Sequence, residues 1–321
     1  MTDLLQKLEA QIQSLQLGNH PANLYDPMRY MLSLGGKRLR PLLVLLGYRL
    51  HKQDVAEVLI PALSVELFHN FTLMHDDIMD KAPLRRGNPT VHEKWNETVA
   101  ILSGDTMMVK AYDLMLKMPP EYLAAAITKF NKCSVEVCEG QQLDMNYEEL
   151  ATVTEQQYLE MIRLKTAVLL GYSLELGGLM AGLSETKLKQ LQMLGEKAGI
   201  GFQLMDDLLD VYADKAKFGK QVGGDIVSNK KTYLLIKARE LSNGAQKEKL
   251  CELLEAESFD AEEKVASVKQ IYQEIGIAEI TARKMNEYYD EAFRILSGFE
   301  GDRKGKEELR SFLEKLMQRD R

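Results

Sequence analysis

The sequence predicts an all-α fold with one domain over residues 1–321. Almost every segment places apolar residues at helical period, and none of the long segments alternates as a strand does. Residues 55–80 are apolar on nearly all sides of a helix, which is typical of a buried central element. No stretch of linker-like composition divides the chain. We therefore expect the other helices to pack around this central one.

The composition is that of an ordinary globular protein, because 45% of the residues are hydrophobic and 28% are charged. The net charge of −7 argues against nucleic acid as a partner. No apolar run is long enough for a transmembrane segment, and the first residues do not resemble a signal peptide, so we expect a cytoplasmic location. The three cysteines form no CxxC motif, which predicts buried thiols rather than disulfides or zinc ligands.

The N-terminal segment predicts two helices. The first carries apolar side chains from Leu4 to Leu15 and is expected to pack on the body of the protein or on a second subunit. Gly18 and Pro21 end it, and the second helix extends to about Leu34.

Residues 35–41, GGKRLRP, form a basic turn before a helix that runs through His51. The two glycines allow a tight turn with exposed backbone N–H groups, and three cations follow within four residues. Such a turn is either a solvated basic loop or a binding site for a diphosphate.

The helix over residues 55–80 ends in an aspartate motif made by Asp76, Asp77 and Asp80. The first and last of these carboxylates are four residues apart, so they lie about 40° apart around the axis on one face. Like charges at this spacing repel one another. The arrangement therefore indicates a divalent-cation site that awaits an anion. His69 lies seven residues before Asp76 on a similar face. A lone buried histidine is usually a core residue, and this alignment adds weight to a functional role.

Residues 81–93 predict a loop directly after these carboxylates, with Arg85 and Arg86 in it. The guanidinium fork suits bidentate binding of phosphate. An arginine pair beside three aspartates also suits plain ion pairing, so both interpretations stay open.

The middle of the chain predicts helices over residues 95–118 and 121–147, separated by two prolines. Thr154 is the expected N-cap of the next helix. That helix carries Lys165 and Thr166, which mark either a functional position or only a boundary between two helix faces.

A second aspartate motif, made by Asp206, Asp207 and Asp210, closes a helix over residues 185–212. Gln203 lies one turn before it. One such motif would be a weak signal, whereas two of them in one chain are a strong one.

Residues 214–229 predict a loop rich in glycine and lysine, in which Lys220 and the following Lys230 could surround an anion. From there to Arg321 the pattern is helical and charged on its outer faces. It contains no catalytic constellation.

Each aspartate motif ends an apolar helix and precedes a basic, glycine-containing loop, which suggests two helices facing each other across one cavity. Aspartates suit Mg²⁺, which binds substrate phosphates as well. Charge neutralisation by metal and cations favours breaking the C–O bond of a diphosphate. Apolar walls below the motifs would receive a hydrocarbon tail, so the substrate would be an allylic prenyl diphosphate. Candidates for this lining are Phe68, Phe71, Leu73, Met74, Leu204 and Met205.

Over nearly its whole length the sequence resembles the trans-isoprenyl diphosphate synthase (polyprenyl synthetase) family. The matching blocks are GGKRLRP (35–41), HDDIMD (75–80), LRRGNPTVH (84–92), GDTMM (104–108), GQQLDM (140–145), KT (165–166), GFQLMDDLLD (201–210) and GKQVGGDIVSNKKTYL (219–234). The resemblance implies an isoprenoid-synthase-type helical bundle around a deep central cavity. It also implies Mg²⁺ dependence, with three ions when substrate is bound, and a homodimer.

The resemblance also implies roles for individual residues. All six aspartates belong to the metal set: Asp76, Asp80 and Asp206 would bind Mg²⁺, while Asp77, Asp207 and Asp210 complete the two clusters. The allylic diphosphate would be held by Arg85, Lys165, Lys220 and Lys230. Isopentenyl diphosphate would be held by Lys37, Arg40, His69 and Arg86. The oxygens of Thr166 and Gln203 would face the developing allylic cation, and the proton would leave to the departed diphosphate without a histidine or glutamate base.

Product length is expected to depend on the helix before the first motif. Phe71 lies five residues before Asp76, about 7.5 Å along the helix axis. In the family a bulky residue at this position forms the pocket floor, so Phe71 with Thr72 resembles the geranylgeranyl (C20) type. A farnesyl (C15) product is the alternative, and a longer chain is less favoured. Phe71 could instead pack only the core while Phe68 or another helix sets the floor.

Other classes fit the sequence less well. A terpene cyclase would carry an Asn/Asp, Ser/Thr and Glu pattern in its second motif, whereas this chain has DDLLD. A non-catalytic partner subunit commonly loses one aspartate motif, and both are intact here. A di-iron helical bundle would need Glu-x-x-His motifs on facing helices.

Overall fold

The computed structural model describes residues 1–213, 223–256 and 258–318. Over these ranges the chain is almost entirely helical, and its only strands are two of two residues each, paired as an antiparallel hairpin. This confirms the all-α prediction. Up to residue 115 the elements are α1 (Thr2–Gln13), α2 (Ala22–Ser33), α3 (Leu39–Arg49), a 3-10 turn (Ala56–Val58), α4 (Leu59–Met79), β1 (Leu84–Arg85), β2 (Asn88–Pro89), α5 (Val91–Lys94) and α6 (Glu97–Met115).

The remaining elements follow in chain order. They are α7 (Pro120–Glu149), α8 (Glu155–Ile162), a π-helical turn (Arg163–Ala167), α9 (Val168–Met180), α10 (Glu185–Tyr212), α11 (Gly224–Val227), α12 (Tyr233–Leu241), α13 (Gly244–Glu255), α14 (Ala261–Ile275), α15 (Ile277–Gly298) and α16 (Arg303–Met317).

The chain forms two compact units. The first comprises Met1–Asn131, Tyr172–Gln192 and Phe299–Leu309, and the second comprises Lys132–Gly171, Met193–Gly298 and Arg310–Arg321. The expectation of one domain over residues 1–321 stays a prediction.

In the first unit, α4 is the central helix and packs against α1, α3 and α6. It lies close to α6 at Gly104, where a Cβ atom would lie 2.3 Å from His75 Nε2. Nε2 lies 3.2 Å from the carbonyl oxygen of Ile101. Glycine at position 104 therefore lets the imidazole of α4 rest directly on the backbone of α6.

In the second unit, α10 and helices α11 to α15 bury a common apolar cluster. It includes Leu208 and Val211 from α10, Leu234 from α12, Tyr272 from α14 and Ile277 from α15. This core fixes the C-terminal turns of α10, which carry the second aspartate motif.

The predicted helices are largely confirmed, with differences at their ends. The central helix begins at Leu59, after a 3-10 turn, rather than at residue 55. Trp95 lies outside any helix, because Asn96 caps α6 by accepting a hydrogen bond from Val99 N at 2.9 Å. Thr154 caps α8 in a reciprocal capping box with Gln157, as expected.

Three short features were not predicted: a hairpin, a one-turn helix and a π-helical turn. Residues 81–93, expected as a loop, contain the β1–β2 hairpin and α5, which are too short to produce a periodic pattern. The helix that carries Lys165 and Thr166 is interrupted by a π-helical turn over Arg163–Ala167. Such turns are rare and occur frequently at functional sites.

The three cysteines form no disulfide with one another within the described residues, and their burial differs. Cys133 is buried, Cys251 is partly buried and Cys138 is exposed on α7, so the expectation of burial is wrong for Cys138. No helix within the described ranges has both the length and the apolar character needed to cross a membrane.

Candidate active site

The first aspartate motif lies at the C-terminal end of α4. Asp76 is partly exposed and Asp80 exposed, and the backbone N–H of Asp80 donates to the Asp76 carbonyl at 2.8 Å. The C-terminal end of a helix carries partial negative charge, and the last turn of α4 contains no basic residue. Carboxylates at this position therefore favour a bound cation, and hard oxygen donors fit Mg²⁺.

Asp77, the central aspartate of this motif, points away from that face. Its side chain is 2% exposed and accepts hydrogen bonds from Arg85 Nε at 2.9 Å and 2.7 Å, and Arg85 Nη2 lies 2.7 Å from Oδ1. Burial raises the pKa of Asp77, and the guanidinium opposes that rise. The ion pairing considered for the arginine pair is thus present at Arg85, which joins the hairpin to α4.

The basic turn before α3 approaches α4 and the hairpin within the first unit. Arg86 donates a hydrogen bond to the carbonyl of Gly35. A Cβ atom on Gly36, whose φ is +138°, would lie 2.8 Å from the Arg86 guanidinium. Glycine is required here, because its lack of a side chain leaves room for the arginine.

His69 and Arg40 complete this basic cluster. Arg40 Nη1 lies 3.0 Å from His69 Nε2. The pKa of His69 is well below its ordinary value, because the ring is buried and Arg40 lies beside it. A neutral imidazole can accept the hydrogen bond from Arg40. Arg40, His69 and Arg86 therefore come together around the turn that contains Lys37.

The second aspartate motif lies at the C-terminal end of α10. Asp206 and Asp210 are partly exposed and Asp207 is buried. Asp210 Oδ2 accepts a hydrogen bond from the backbone N–H of Asp225 at 3.1 Å. Like α4, the helix has no basic residue in its last turn. The arrangement of outer and central carboxylates thus matches that of the first motif.

Asp207 has different partners from Asp77. It accepts a hydrogen bond from the hydroxyl of Tyr158 and another from Gln203 Nε2 at 3.2 Å. Burial, with a smaller contribution from Asp225, raises the pKa of Asp207 to about 8. Thr166 Oγ1 donates to Gln203 Oε1 at 3.0 Å, so a chain of hydrogen bonds runs from the π-helical turn to the second motif.

Lys165 and Lys230 meet at a shared carboxylate in the second unit. Lys165 Nζ lies 2.6 Å from Asp144 Oδ2, and Lys230 Nζ lies 3.5 Å from the same oxygen. The two lysines lower the pKa of Asp144 despite its burial. The structure therefore brings together two of the cations predicted to bind one diphosphate. Lys220 lies outside the described residues.

Asp144 and Tyr158 had no role assigned from sequence. Asp144 belongs to the GQQLDM block, and this membership was its one available signal. Tyr158 lies 49 residues before Asp207 in a segment without a motif, so its contact with Asp207 could not be read from spacing.

The residues expected to set product length lie on one stretch of α4. Phe71 is partly exposed, and its ring centroid lies 5.7 Å from that of Phe68 and 4.7 Å from that of His75. Phe68 is fully buried against Phe130, with ring centroids 5.0 Å apart. Thr72 Oγ1 donates to the His69 carbonyl at 2.8 Å. Phe71 is thus more accessible to a ligand than Phe68.

Within the described ranges, no three His, Cys, Asp or Glu side chains come close enough to form a closed metal site. Mg²⁺ commonly binds one or two protein carboxylates and completes its shell with waters and substrate phosphates. The outer aspartates of each motif fit this open type of site.

The chain is similar to polyprenyl synthetases in sequence. The polyprenyl synthetase family model matches residues 21–275. A geranylgeranyl pyrophosphate synthase of Geoglobus acetivorans is 38% identical over 301 residues, which are 92% of this chain and 90% of the relative.

Solved structures agree with this similarity. A crystal structure of a geranylgeranyl pyrophosphate synthase matches with a TM-score of 0.93 and 39% identity, covering 100% of this chain and 98% of that one. Another, from Corynebacterium glutamicum, complexed with isoprenyl diphosphate and magnesium, matches with a TM-score of 0.85 and 28% identity over 99% of this chain and 97% of that one.

Proposed function

The chain belongs to the polyprenyl synthetase family and is a prenyltransferase, and we propose that it condenses isopentenyl diphosphate with allylic diphosphates to give geranylgeranyl diphosphate. The observation that carries this proposal is the gathering, in each unit, of an aspartate motif with cationic side chains predicted to bind diphosphate. The expected starters are the C5, C10 and C15 allylic diphosphates.

Members of the family depend on Mg²⁺ in general, and the C. glutamicum relative binds magnesium with isoprenyl diphosphate. In this chain three ions would be held at the ends of α4 and α10 by the outer aspartates of the two motifs. These are Asp76, Asp80, Asp206 and Asp210. Bound Mg²⁺ supplies positive charge that stabilises the diphosphate as a leaving group. Asp77 is buried behind these ligands, where Arg85 binds it. Asp207 is buried in the same way and accepts hydrogen bonds from Tyr158 and Gln203.

The cations on the chain bind and orient the two substrates. Arg85, Lys165, Lys220 and Lys230 hold the allylic diphosphate. As this anion arrives, Lys165 and Lys230 can exchange Asp144 for phosphate oxygens. Charge-assisted hydrogen bonds of this kind are strong and keep the diphosphate in a fixed position. The isopentenyl diphosphate is held by Lys37, Arg40, His69 and Arg86.

The reaction replaces one bond with another. The allylic C–O bond breaks with its electron pair going to the diphosphate, the isopentenyl double bond forms the new C–C bond, and a proton leaves to the departed diphosphate. The oxygens of Thr166 and Gln203 face the allylic cation, which apolar side chains shield from water. No histidine or glutamate base is required.

Two observations support a C20 product. The relative from G. acetivorans is named a geranylgeranyl pyrophosphate synthase and is matched over 90% of its length. Phe71 is partly exposed five residues before the first motif, whereas Phe68 lies behind it in the core. We assign Phe71 as the floor that stops chain growth, with Thr72 beside it.

A homodimer in the cytoplasm is part of the proposal. Leu102, Val109 and Leu116 lie seven residues apart along α6 and just beyond its end, and each is more than half exposed. An apolar stripe of this kind is typical of an interaction surface. The substitution Val109→Lys is expected to convert the dimer to a monomer in size-exclusion chromatography with light scattering.

The function is tested by incubating the protein with Mg²⁺, labelled isopentenyl diphosphate and each of the C5, C10 and C15 allylic diphosphates, and then sizing the products. We expect incorporation from every starter and a dominant C20 product. Products that stop at C15 would favour the farnesyl alternative, and no incorporation from any starter would contradict the enzymatic function.

A further inference from the structure

Arg38 of the GGKRLRP turn points into the protein, unlike the basic side chains on either side of it. Lys37 is exposed and Arg40 partly exposed, and both are assigned above to isopentenyl diphosphate. Arg38 lies between them with a side chain that is only 3% exposed. It caps α3 in a left-handed conformation, with φ of +48°, which residues other than glycine rarely adopt. Something must hold it in that conformation.

The guanidinium of Arg38 is held by three other elements of the first unit. Nη1 lies 2.7 Å from Glu66 Oε1 in α4, and Nε lies 2.8 Å from Glu9 Oε1 in α1. Nη2 donates to the carbonyl of Leu32 at the end of α2 at 2.9 Å. Asn70 Nδ2 donates to the same Glu66 oxygen at 3.1 Å, which orients that carboxylate. Each of the three guanidinium nitrogens therefore has an acceptor.

Glu9 is the unexpected member of this set. It lies on α1, which precedes the first residue matched by the family model. Helix α1 buries Leu4, Leu8 and Ile12, whereas the Glu9 side chain is 40% exposed. A purely structural role for α1 needs its apolar face alone. The carboxylate directed at Arg38 links this helix to the basic turn.

We propose that Arg38, Glu66 and Glu9 form a positioning network for isopentenyl diphosphate, through which the N-terminal helix helps to shape that substrate site. The inference rests on the proposed function, because it takes Lys37 and Arg40 as the groups that contact this diphosphate. Arg38 and Glu9 are positioning residues that do not touch the substrate. Because its guanidinium is held in the interior, Arg38 fixes the backbone on either side, which carries Lys37 and Arg40. The turn therefore has its binding conformation before the diphosphate binds.

The test is the substitution Glu9→Gln, which removes the charge but keeps the size of a half-exposed side chain. We expect KM for isopentenyl diphosphate to rise roughly three- to ten-fold, a typical coupling effect of a residue without ligand contact. KM for the allylic diphosphate and kcat should stay within about two-fold. Glu9→Asp keeps the carboxylate and should restore part of the affinity. Arg38→Lys keeps the charge but loses the fork, so its effect should be larger.

The matched control is Asp3→Asn on the same helix. Asp3 pairs with Lys7 at 3.2 Å, and their side chains are 72% and 48% exposed. This substitution should change neither KM, because an exposed pair of this kind contributes little.

Three outcomes would overturn the inference: an unchanged KM for isopentenyl diphosphate in Glu9→Gln, an equal rise in KM for both substrates, or loss of thermal stability alone. Calorimetric titration of isopentenyl diphosphate into wild-type and variant protein, without allylic substrate, gives a second measurement that does not depend on turnover. A wild-type protein that forms no product refutes the proposed function itself, whereas an active wild type with an unaffected variant refutes only the network.

Discussion

The two aspartate motifs share a pattern but differ in what holds their central carboxylate. Asp77 receives a bidentate guanidinium from Arg85, eight residues away in the following hairpin. Asp207 receives a hydroxyl from Tyr158 and an amide from Gln203. One buried carboxylate is thus matched by a cation and the other by neutral donors. Identical DDxxD motifs do not specify identical surroundings.

The helices that lead into the motifs differ as well. Five residues before the first motif stands Phe71, which is partly exposed. Five residues before the second stands Gly201, where a Cβ atom would lie 2.8 Å from Cε2 of Tyr289 in α15. Position −5 of α10 is therefore closed by packing between helices, whereas the same position of α4 is filled by its own ring. On the proposed function, α4 rather than α10 carries the side chain that would limit product length.

The largest expected effect comes from removing an outer carboxylate of either motif. Asp76→Asn and Asp206→Asn should each reduce kcat by roughly 10²- to 10³-fold, because each removes charge stabilisation from the leaving diphosphate. Steady-state kinetics at saturating Mg²⁺ measures this loss. Asp290→Asn, an exposed position on α15, serves as control and should retain full activity. A loss confined to one motif would show that the two do not share the reaction.

The partners of the central aspartates should differ in their contribution to stability. Arg85→Gln leaves Asp77 buried without its cation and should lower the free energy of unfolding by about 3–5 kcal/mol. Tyr158→Phe removes one donor from Asp207 and should cost about 1–3 kcal/mol. Denaturant unfolding measures both.

A matched control for the arginine substitution is Arg303→Gln. Arg303 pairs with Glu307 at 2.9 Å while its side chain is 93% exposed, so little change in unfolding free energy is expected. Equal losses in Arg85→Gln and Tyr158→Phe would remove the distinction between the two motifs.

Substitutions five residues before each motif should change turnover less than loss of an outer aspartate. At Phe71 the expected change is in product length. Phe71→Ala should give products longer than C20, because the floor is lowered, with the product distribution measured by chromatography. Gly201→Ala is the counterpart on α10. It should lower stability by about 1–3 kcal/mol through overpacking against Tyr289 and leave product length unchanged. An unchanged product distribution in Phe71→Ala would exclude this ring as the floor.

The smallest expected effect is a difference between two variants at Asn229. Like Arg38 in the first unit, Asn229 is a left-handed residue next to a proposed substrate lysine. Asn229 has φ of +54° and bonds to the Leu254 carbonyl at 2.9 Å and to Lys264 Nζ at 2.7 Å. Asn229→Gly keeps the conformation and should cost about 1–3 kcal/mol, because the buried Lys264 loses a hydrogen-bond acceptor. Asn229→Ala should cost about 1 kcal/mol more, since it adds left-handed strain. Urea unfolding of the two variants tests this order.

Sequence periodicity predicted most of the helices because helical burial is a local property. The helix ending at Tyr212 and the cap at Thr154 follow from patterns within a few residues. Local patterns did not predict the 3-10 turn before Leu59 or the π-helical turn over Arg163–Ala167. At the π-helical turn the backbone packs closely on α7, where a Cβ atom on Gly140 would lie 2.2 Å from Lys165 N, and such a contact between distant residues leaves no local pattern.

The candidate site was predictable where its residues are neighbours in the chain. Arg85 follows Asp77 closely, and both belong to recognisable blocks. Tyr158 and Asp207 are 49 residues apart, and Glu9 and Arg38 are 29 apart. Contacts at such separations arise from tertiary packing, which a single sequence does not encode as a spacing.

The contact between His75 and Gly104 has a consequence for how narrowly product length would be controlled. The ring of Phe71 lies against the ring of His75. His75 directly precedes Asp76 and contacts the backbone of α6 at Gly104. The groups proposed to hold the head of the substrate and the ring proposed to stop its tail therefore share one support. We therefore expect the distance between the two to vary less than it would if they stood on separate elements. On the proposed function, such a shared support would favour a narrow product distribution.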